Sequence, residues 1–349
     1  MKFIIYGAYG YTGRLIVEEA TRKGLKPTVA GRSKELTRAL AEEYNLEYVC
    51  FEYNDHRAWD QALSNHDLLL NCAGPFSLTI KDILPACIRN MTHYTDITGE
   101  IKVFEYISQF DADAKLENLV LMPGTGFDVV PTDCLANYLK EQMPAATHLE
   151  LGFDSPSGMS RGTALSLVNR LHEKSARRVD GQLEYFTTGT YHKTIDFGGK
   201  ARNMAAIVWG DVFTAYKSTG IPNITVYTAL PIKLMRLLGR AEKFSWFLSW
   251  GPIKRMLMNQ VRKRVTGPNS EKRATLSSHV WGKVTDANGN ELKAEMKVPE
   301  SYSLTAITAI KCVERILNGE VNPGFYTPAQ AFGFNFIMEV EGVTRKVID

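Results

Sequence analysis

The 349-residue chain has five cysteines, Cys50, Cys72, Cys87, Cys134 and Cys312, an odd number scattered with no CxxC spacing. That signals neither a disulfide framework nor a zinc site, and it fits a reducing, cytoplasmic setting. The seven histidines form no HExxH, so zinc hydrolysis has no support. None of the fifteen tyrosines is followed four residues later by lysine, the pair that short-chain dehydrogenases use; Tyr53, with Arg57, comes nearest. No stretch reaches about eighteen uncharged apolar residues, the length a spanning helix needs. The apolar run Phe3 to Tyr6 is too short for the core of a secretory signal. A net charge of +3 is too mild to argue for nucleic acid.

Glycine is well placed at the start. The strand-forming run Lys2 to Tyr6 ends in Gly7-Ala8-Tyr9-Gly10-Tyr11-Thr12-Gly13, and Arg14 to Ala20 continues at helical spacing. A strand that turns on glycines into a helix presents backbone N–H groups and the positive end of a helix dipole at one point, which suits a pyrophosphate. The spacing is GxxGxxG where GxGxxG is commoner, so the strand before and the amphipathic helix after carry the assignment to a dinucleotide. The competing reading is a glycine turn with no ligand.

The second strand, Lys26 to Ala30, leads into Gly31-Arg32-Ser33-Lys34. Arg32 stands nineteen residues beyond Gly13, where an NAD site would carry an acid for the ribose 2′-hydroxyl. Arg32 instead offers a planar fork of donors for a 2′-phosphate, Ser33 a hydroxyl and Lys34 a second positive charge, so NADP is favoured over NAD. The plainer reading is that these residues begin a solvated helix.

Alternating apolar strands and helices continue to Met122, which predicts a six-stranded, doubly wound parallel (Rossmann) sheet. Ligands of such folds lie beyond the strands' carboxyl ends. Three loops fall there. Cys72-Ala73-Gly74-Pro75, after Asn71, is small enough to let a ribose or nicotinamide lie against backbone. Tyr94, Asp96 and Glu100 surround the next turn, and Asp128 and Asp133 the one after. Tyr94, Asp96 and Asp128 are the candidate catalytic residues, as proton donor or orienter. Helix capping competes with catalysis for all of the acids.

The runs Gly7 to Gly13, Gly31-Arg32, Asn71 to Phe76, Tyr94 to Glu100 and Gly126 to Asp133 together resemble the saccharopine dehydrogenase-like, NADP-binding oxidoreductases. That group resembles both saccharopine reductases and the trans-acting enoyl reductases of lipid and polyketide assembly. The resemblance covers the first 135 residues, with weaker echoes at Ser160 to Thr163 and Gly324 to Gly333. It implies an NADP site more firmly than a substrate. Family members often have a second glycine where Arg161 stands.

From Thr147 the pattern becomes one-sided strands, with helices at Gly162 to Lys174 and Ser301 to Asn318. Strands are expected at Leu183 to Thr190, Ile224 to Ala229, Lys272 to Val284 and Glu291 to Val298, the last two joined by a hairpin at Asp286 to Asn290. The expected organisation is an NADP-binding domain over 1–135, an α+β substrate or oligomerisation domain on an antiparallel sheet over 136–300, and a helix and tail over 301–349 returning to the first domain. Substrate would sit between the domains, with Arg161 as the candidate anchor for a carboxylate or phosphate, against the reading of a surface arginine.

Residues 232–266 hold nine basic residues against one acid, interleaved with Phe244, Trp246, Phe247, Trp250 and several Leu and Met. Basic and greasy residues together describe helices on an anionic membrane, or a lid over an apolar substrate. A buried face or a homodimer contact is the plainer alternative. The clustering of the aromatics argues against nucleic acid. The functional expectation is therefore an NADP(H)-dependent reductase acting on a C=C or C=N bond of a hydrophobic, acyl-type substrate. The alternatives are an amino-acid imine of the saccharopine type, or an NADP-binding peripheral membrane or scaffold protein that turns nothing over.

Overall fold

The computed structural model describes residues 2–170, 173–197, 199–232, 235 and 251–348. The chain divides into two units, one of Met1–Val130 with Tyr302–Ala331 and the other of Pro131–Ser301 with Phe332–Asp349.

The first stretch runs β1 (Phe3–Tyr6), α1 (Tyr11–Arg22), β2 (Thr28–Gly31), α2 (Lys34–Tyr44), β3 (Tyr48–Cys50), α3 (His56–Leu63), β4 (Leu68–Asn71), α4 (Phe76–Arg89), β5 (His93–Asp96), α5 (Ile101–Ser108), α6 (Asp111–Leu116) and β6 (Val120–Met122). Ile4, Ile5, Leu68, Leu69 and Leu70 are fully buried, because helices cover both faces of a parallel sheet and leave its central strands no wet side. Between β5 and β6 the chain forms two short helices, α5 and α6, in succession.

The second stretch holds α7 (Val130–Gln142), β7 (Ala146–Asp154), α8 (Arg161–Arg170), β8 (Ser175–Val179), β9 (Gln182–Phe186), β10 (His192–Asp196), β11 (Ala201–Ala206), α9 (Asp211–Thr219), β12 (Asn223–Ala229), α10 (Gly251–Arg264), α11 (Ser270–Thr275), β13 (Ser277–Asp286) and β14 (Glu291–Pro299). The expected strand from Lys272 begins only at Ser277, because the Asn269 side chain caps α11 by accepting the Lys272 N–H at 2.9 Å. Of the basic segment, residues 233, 234 and 236–250 lie outside the described residues, as do 171 and 172 beyond α8.

The last stretch adds α12 (Ser301–Leu317), β15 (Gly324–Phe325), α13 (Pro328–Phe332) and β16 (Thr344–Ile348). The first sheet has seven parallel strands in the order β15-β6-β5-β4-β1-β2-β3, one more than the sequence predicts. The second sheet is mixed where an antiparallel one is expected, since β12 runs parallel to β7 with Asn223 opposite His148. The residues between them, carrying β8 to β11 and α9, are long enough for the crossover that parallel pairing requires. The tail also departs from expectation: β16 pairs antiparallel with β14 and belongs to the second unit.

Candidate functional site

The turn after β1 is fixed by its own backbone. Gly7 sits at φ +81°, and a Cβ there would meet Ala73 N at 2.8 Å; at Gly13 a Cβ would lie 2.4 Å from Gly7 O. The glycines thus let α1 close onto the turn and let the loop Cys72-Ala73 close onto Gly7, which brings two of the expected cofactor stretches together. The Gly7 and Ala8 N–H groups both donate to Ala30 O, at 2.9 and 3.1 Å, and anchor the turn on β2. Gly10 caps α1 with backbone alone: no side chain caps the helix and no acid stands in its first turn, where Tyr11, Thr12 and Gly13 lie. A helix start without its own carboxylate suits an anionic ligand. Tyr11 is flanked by Tyr302, ring centroids 4.9 Å apart at 81°.

At the end of β2 the Tyr9 ring lies over Gly31, its Cε1 2.4 Å from where a Cβ would stand. Arg32 is exposed, while its carbonyl accepts from Cys50 Sγ at 3.3 Å. Arg32 therefore sits on a pinned backbone two residues before the start of α2, with its side chain exposed. Ser33 caps that helix, its Oγ accepting the Leu36 N–H at 3.4 Å. The capping reading of Ser33 thus accounts for its oxygen, and Arg32 with the α2 start remains the fit for a 2′-phosphate. A glycine cradle that a Cβ would fill, next to an exposed arginine, suits a phosphorylated dinucleotide.

The loop after β4 passes Cys72, Ala73, Gly74 and Pro75, with a cis Gly74–Pro75 peptide, into α4. Asn71, fully buried, shapes it: its Oδ1 accepts the Ala73 N–H at 3.0 Å, and its Nδ2 donates to Tyr94 Oη at 3.2 Å. Tyr94 in turn donates to Asp96 Oδ2 at 2.8 Å, and Asp96 Oδ1 accepts the N–H groups of Thr98 and Gly124 at 3.0 and 2.9 Å. Burial pushes the Asp96 carboxyl up to about 6, against the pull of those donors; burial likewise raises the Tyr94 phenol. Both side chains are fully enclosed. They clamp the ends of β4, β5 and β6 to one another, and neither of these two candidate catalytic residues has side-chain surface exposed.

Glu100 is a cap as well, accepting the N–H groups of Phe76 and Ser77 at 2.9 and 3.2 Å at the start of α4. Asp133, in the first turn of α7, is fully buried and accepts from Asn137 Nδ2 at 3.2 Å. Of the candidate catalytic residues only Asp128 keeps partial exposure; its Oδ2 lies 2.9 Å from the Cβ position of Gly99. Arg161 belongs to the second unit, where it opens α8, is exposed, and donates from Nε to Val265 O at 3.2 Å. Gly158 to Gly162 has the GxSxG spacing of a hydrolase nucleophile turn. There Ser160 Oγ accepts the Thr163 N–H at 3.2 Å and caps α8, which explains that serine without catalysis.

Three residues escaped the sequence reading. Tyr302, Thr305 and Thr308 on α12 belong to the first unit although they lie far along the chain from the Tyr11, Phe127 and Thr125 that they touch. Thr305 Oγ1 accepts the Phe127 N–H at 2.9 Å, and Thr308 Oγ1 donates to Thr125 O at 2.7 Å. Spacing within the helix shows which face they share but not what that face touches.

Residues 3–122 match the saccharopine dehydrogenase NADP-binding domain. The match takes in β1 to β6 of the first unit. The saccharopine dehydrogenase-like oxidoreductase of Mus musculus is 26% identical over 160 residues, 40% of this chain and 37% of that protein. The lipid droplet localized protein of Caenorhabditis elegans is 27% identical over 185 residues, 47% of this chain and 43% of that one. The match therefore spans less than half the length of these relatives. Apo saccharopine dehydrogenase (L-Glu forming) from Saccharomyces cerevisiae superposes over 100% of both chains with a TM-score of 0.69 at 12% identity, a likeness of fold. The matched domain is one that binds NADP. Among the described residues no helix is long and apolar enough to cross a membrane, and no group of three or more His, Cys, Asp or Glu could hold a metal.

Proposed function

We propose that the chain is an NADP(H)-dependent oxidoreductase that reduces a C=C or C=N bond of a hydrophobic, acyl-type substrate. The observation that carries the cofactor half is the glycine turn closed on α1 and on Ala73, with Arg32 exposed at the end of β2. NADPH, when bound, supplies the hydride. The chain's own residues do the rest: Gly7 to Gly13 receive the pyrophosphate, Arg32 the 2′-phosphate, and Asn71, Tyr94 and Asp96 hold the loop 72–75 in one shape. Asp128 is the candidate for handling a proton, since it alone of the three keeps some exposure.

The preference for an acyl substrate over a polyacidic imine rests on how arginines of the second unit are used. A substrate with several carboxylates calls for convergent guanidinium groups. Arg177 pairs with Glu184 at 3.0 Å, Arg202 with Asp154 at 2.8 Å, Arg178 donates to the carbonyls of Val212 and Gly181, and Arg161 to that of Val265. Each already serves a different partner. The test is NADPH oxidation by the intact protein with a 2-enoyl thioester, and separately with a keto acid plus an amino acid that together form an imine. Deuterium from labelled NADPH should appear in the saturated thioester. Label in the secondary amine instead would transfer the assignment to imine reduction, and label in neither would leave an NADP-binding protein without this activity.

A further inference from the structure

We propose that α8 and α10 form a docking face for an anionic phospholipid surface. The two helices pack against one another in the second unit, tied by the Arg161 bond to Val265 O at 3.2 Å. Among the described side chains they carry Arg161, Lys254, Arg255, Lys263 and Arg264, and residues 161–170 and 251–264 include not one Asp or Glu. In a chain with 38 acids and 41 basic residues, such a one-signed pair departs from the mixed charge of the remainder.

Charge alone would describe any anion. The second observation is that large apolar side chains stand exposed within and beside the pair: Met256 at 53%, Met159 at 50% and Leu167 at 48%. The exposed side of α10 places Met256 beside basic residues. Arg255, Met256 and Lys263 line a shallow cleft of about 540 Å³ together with Pro252, Asn259 and Gln260. An exposed methionine costs little where it enters the boundary between headgroups and acyl chains, and flanking guanidinium and ammonium groups then meet phosphates. A nucleic acid would satisfy the charges but leave Met256, Met159 and Leu167 in water, since it offers them no apolar phase; lipid satisfies both.

The test is flotation of the intact protein with vesicles of phosphatidylcholine alone and of phosphatidylcholine with phosphatidylserine. No cofactor is needed, so the outcome is independent of the NADPH assignment. Wild-type protein should float with the phosphatidylserine vesicles, stay in solution with phosphatidylcholine alone, and be released by high salt. Each basic residue near an anionic membrane contributes about fivefold to partitioning, so Arg255→Ala with Lys263→Ala should weaken it roughly 25-fold. Met256→Asp should also weaken it, with Arg255 and Lys263 intact. Both variants change exposed side chains, and unchanged thermal unfolding confirms that they fold. Equal flotation on both vesicles, none on either, insensitivity to salt, or an unaffected double variant would each overturn the proposal. So would binding to a single-stranded homopolymer with the vesicles ignored, which would reassign the face to nucleic acid.

Discussion

At the scale of single residues, the choice between the two nicotinamide nucleotides falls on one guanidinium. Arg32 is exposed beside the start of α2, and a charge-assisted bond to phosphate is worth about 2 kcal/mol. Arg32→Ala should therefore weaken NADPH binding roughly thirtyfold and leave NADH nearly unchanged; equal losses for both would remove Arg32 from the 2′-phosphate. Asp96 yields a different kind of prediction, because its carboxyl is lifted from an ordinary 3.8 to about 6 by burial. A group whose folded value is raised contributes stability that is complete below its unfolded value and is lost as pH rises through the folded one. The stability difference between wild type and Asp96→Asn should then be larger at pH 4 than at pH 7, by about 2 kcal/mol. Chemical denaturation at the two pH values measures it, and a difference that grows with pH would contradict the burial argument.

At the scale of elements, the starts of the helices were the hardest feature to read. Strand β1, the glycine turn and α1 were legible because backbone requirements leave a mark in composition: only glycine tolerates Ala73 N and Gly7 O where the Cβ atoms of residues 7 and 13 would stand. The acids gave no such mark. Asp96 and Glu100 stand at the two ends of the short loop between β5 and α5, yet Glu100 caps a helix that begins at Phe76 and Asp96 accepts Gly124 N–H. Both partners are more than twenty residues away in sequence, and both tasks use a carboxylate as readily as catalysis would. Removing the cap with Glu100→Ala leaves the Phe76 and Ser77 N–H groups without their acceptor and should cost about 1–2 kcal/mol, seen as a lower melting temperature. Unchanged stability would mean that water replaces the carboxylate there. Likewise Gly13→Ala must push a methyl into the Gly7 carbonyl at 2.4 Å, and a loss of about 1–3 kcal/mol is expected from overpacking.

At the scale of the whole molecule, the sequence carried the alternation of strands and helices but not where distant segments return. The seventh parallel strand is two residues long, Gly324–Phe325, too short for periodicity to register, and it is placed by its pairing with β6. The crossover that turns the second sheet from antiparallel to mixed is a matter of which strands meet, and no local pattern encodes it. The cofactor assignment survives these differences, because everything it needs lies in the first unit. Calorimetric titration of the intact protein with NADPH and with NADH addresses it directly. Saturable heat with NADPH, at an affinity at least about tenfold above that for NADH, is the predicted result. No heat with NADPH, or equal affinity for the two nucleotides, would contradict it.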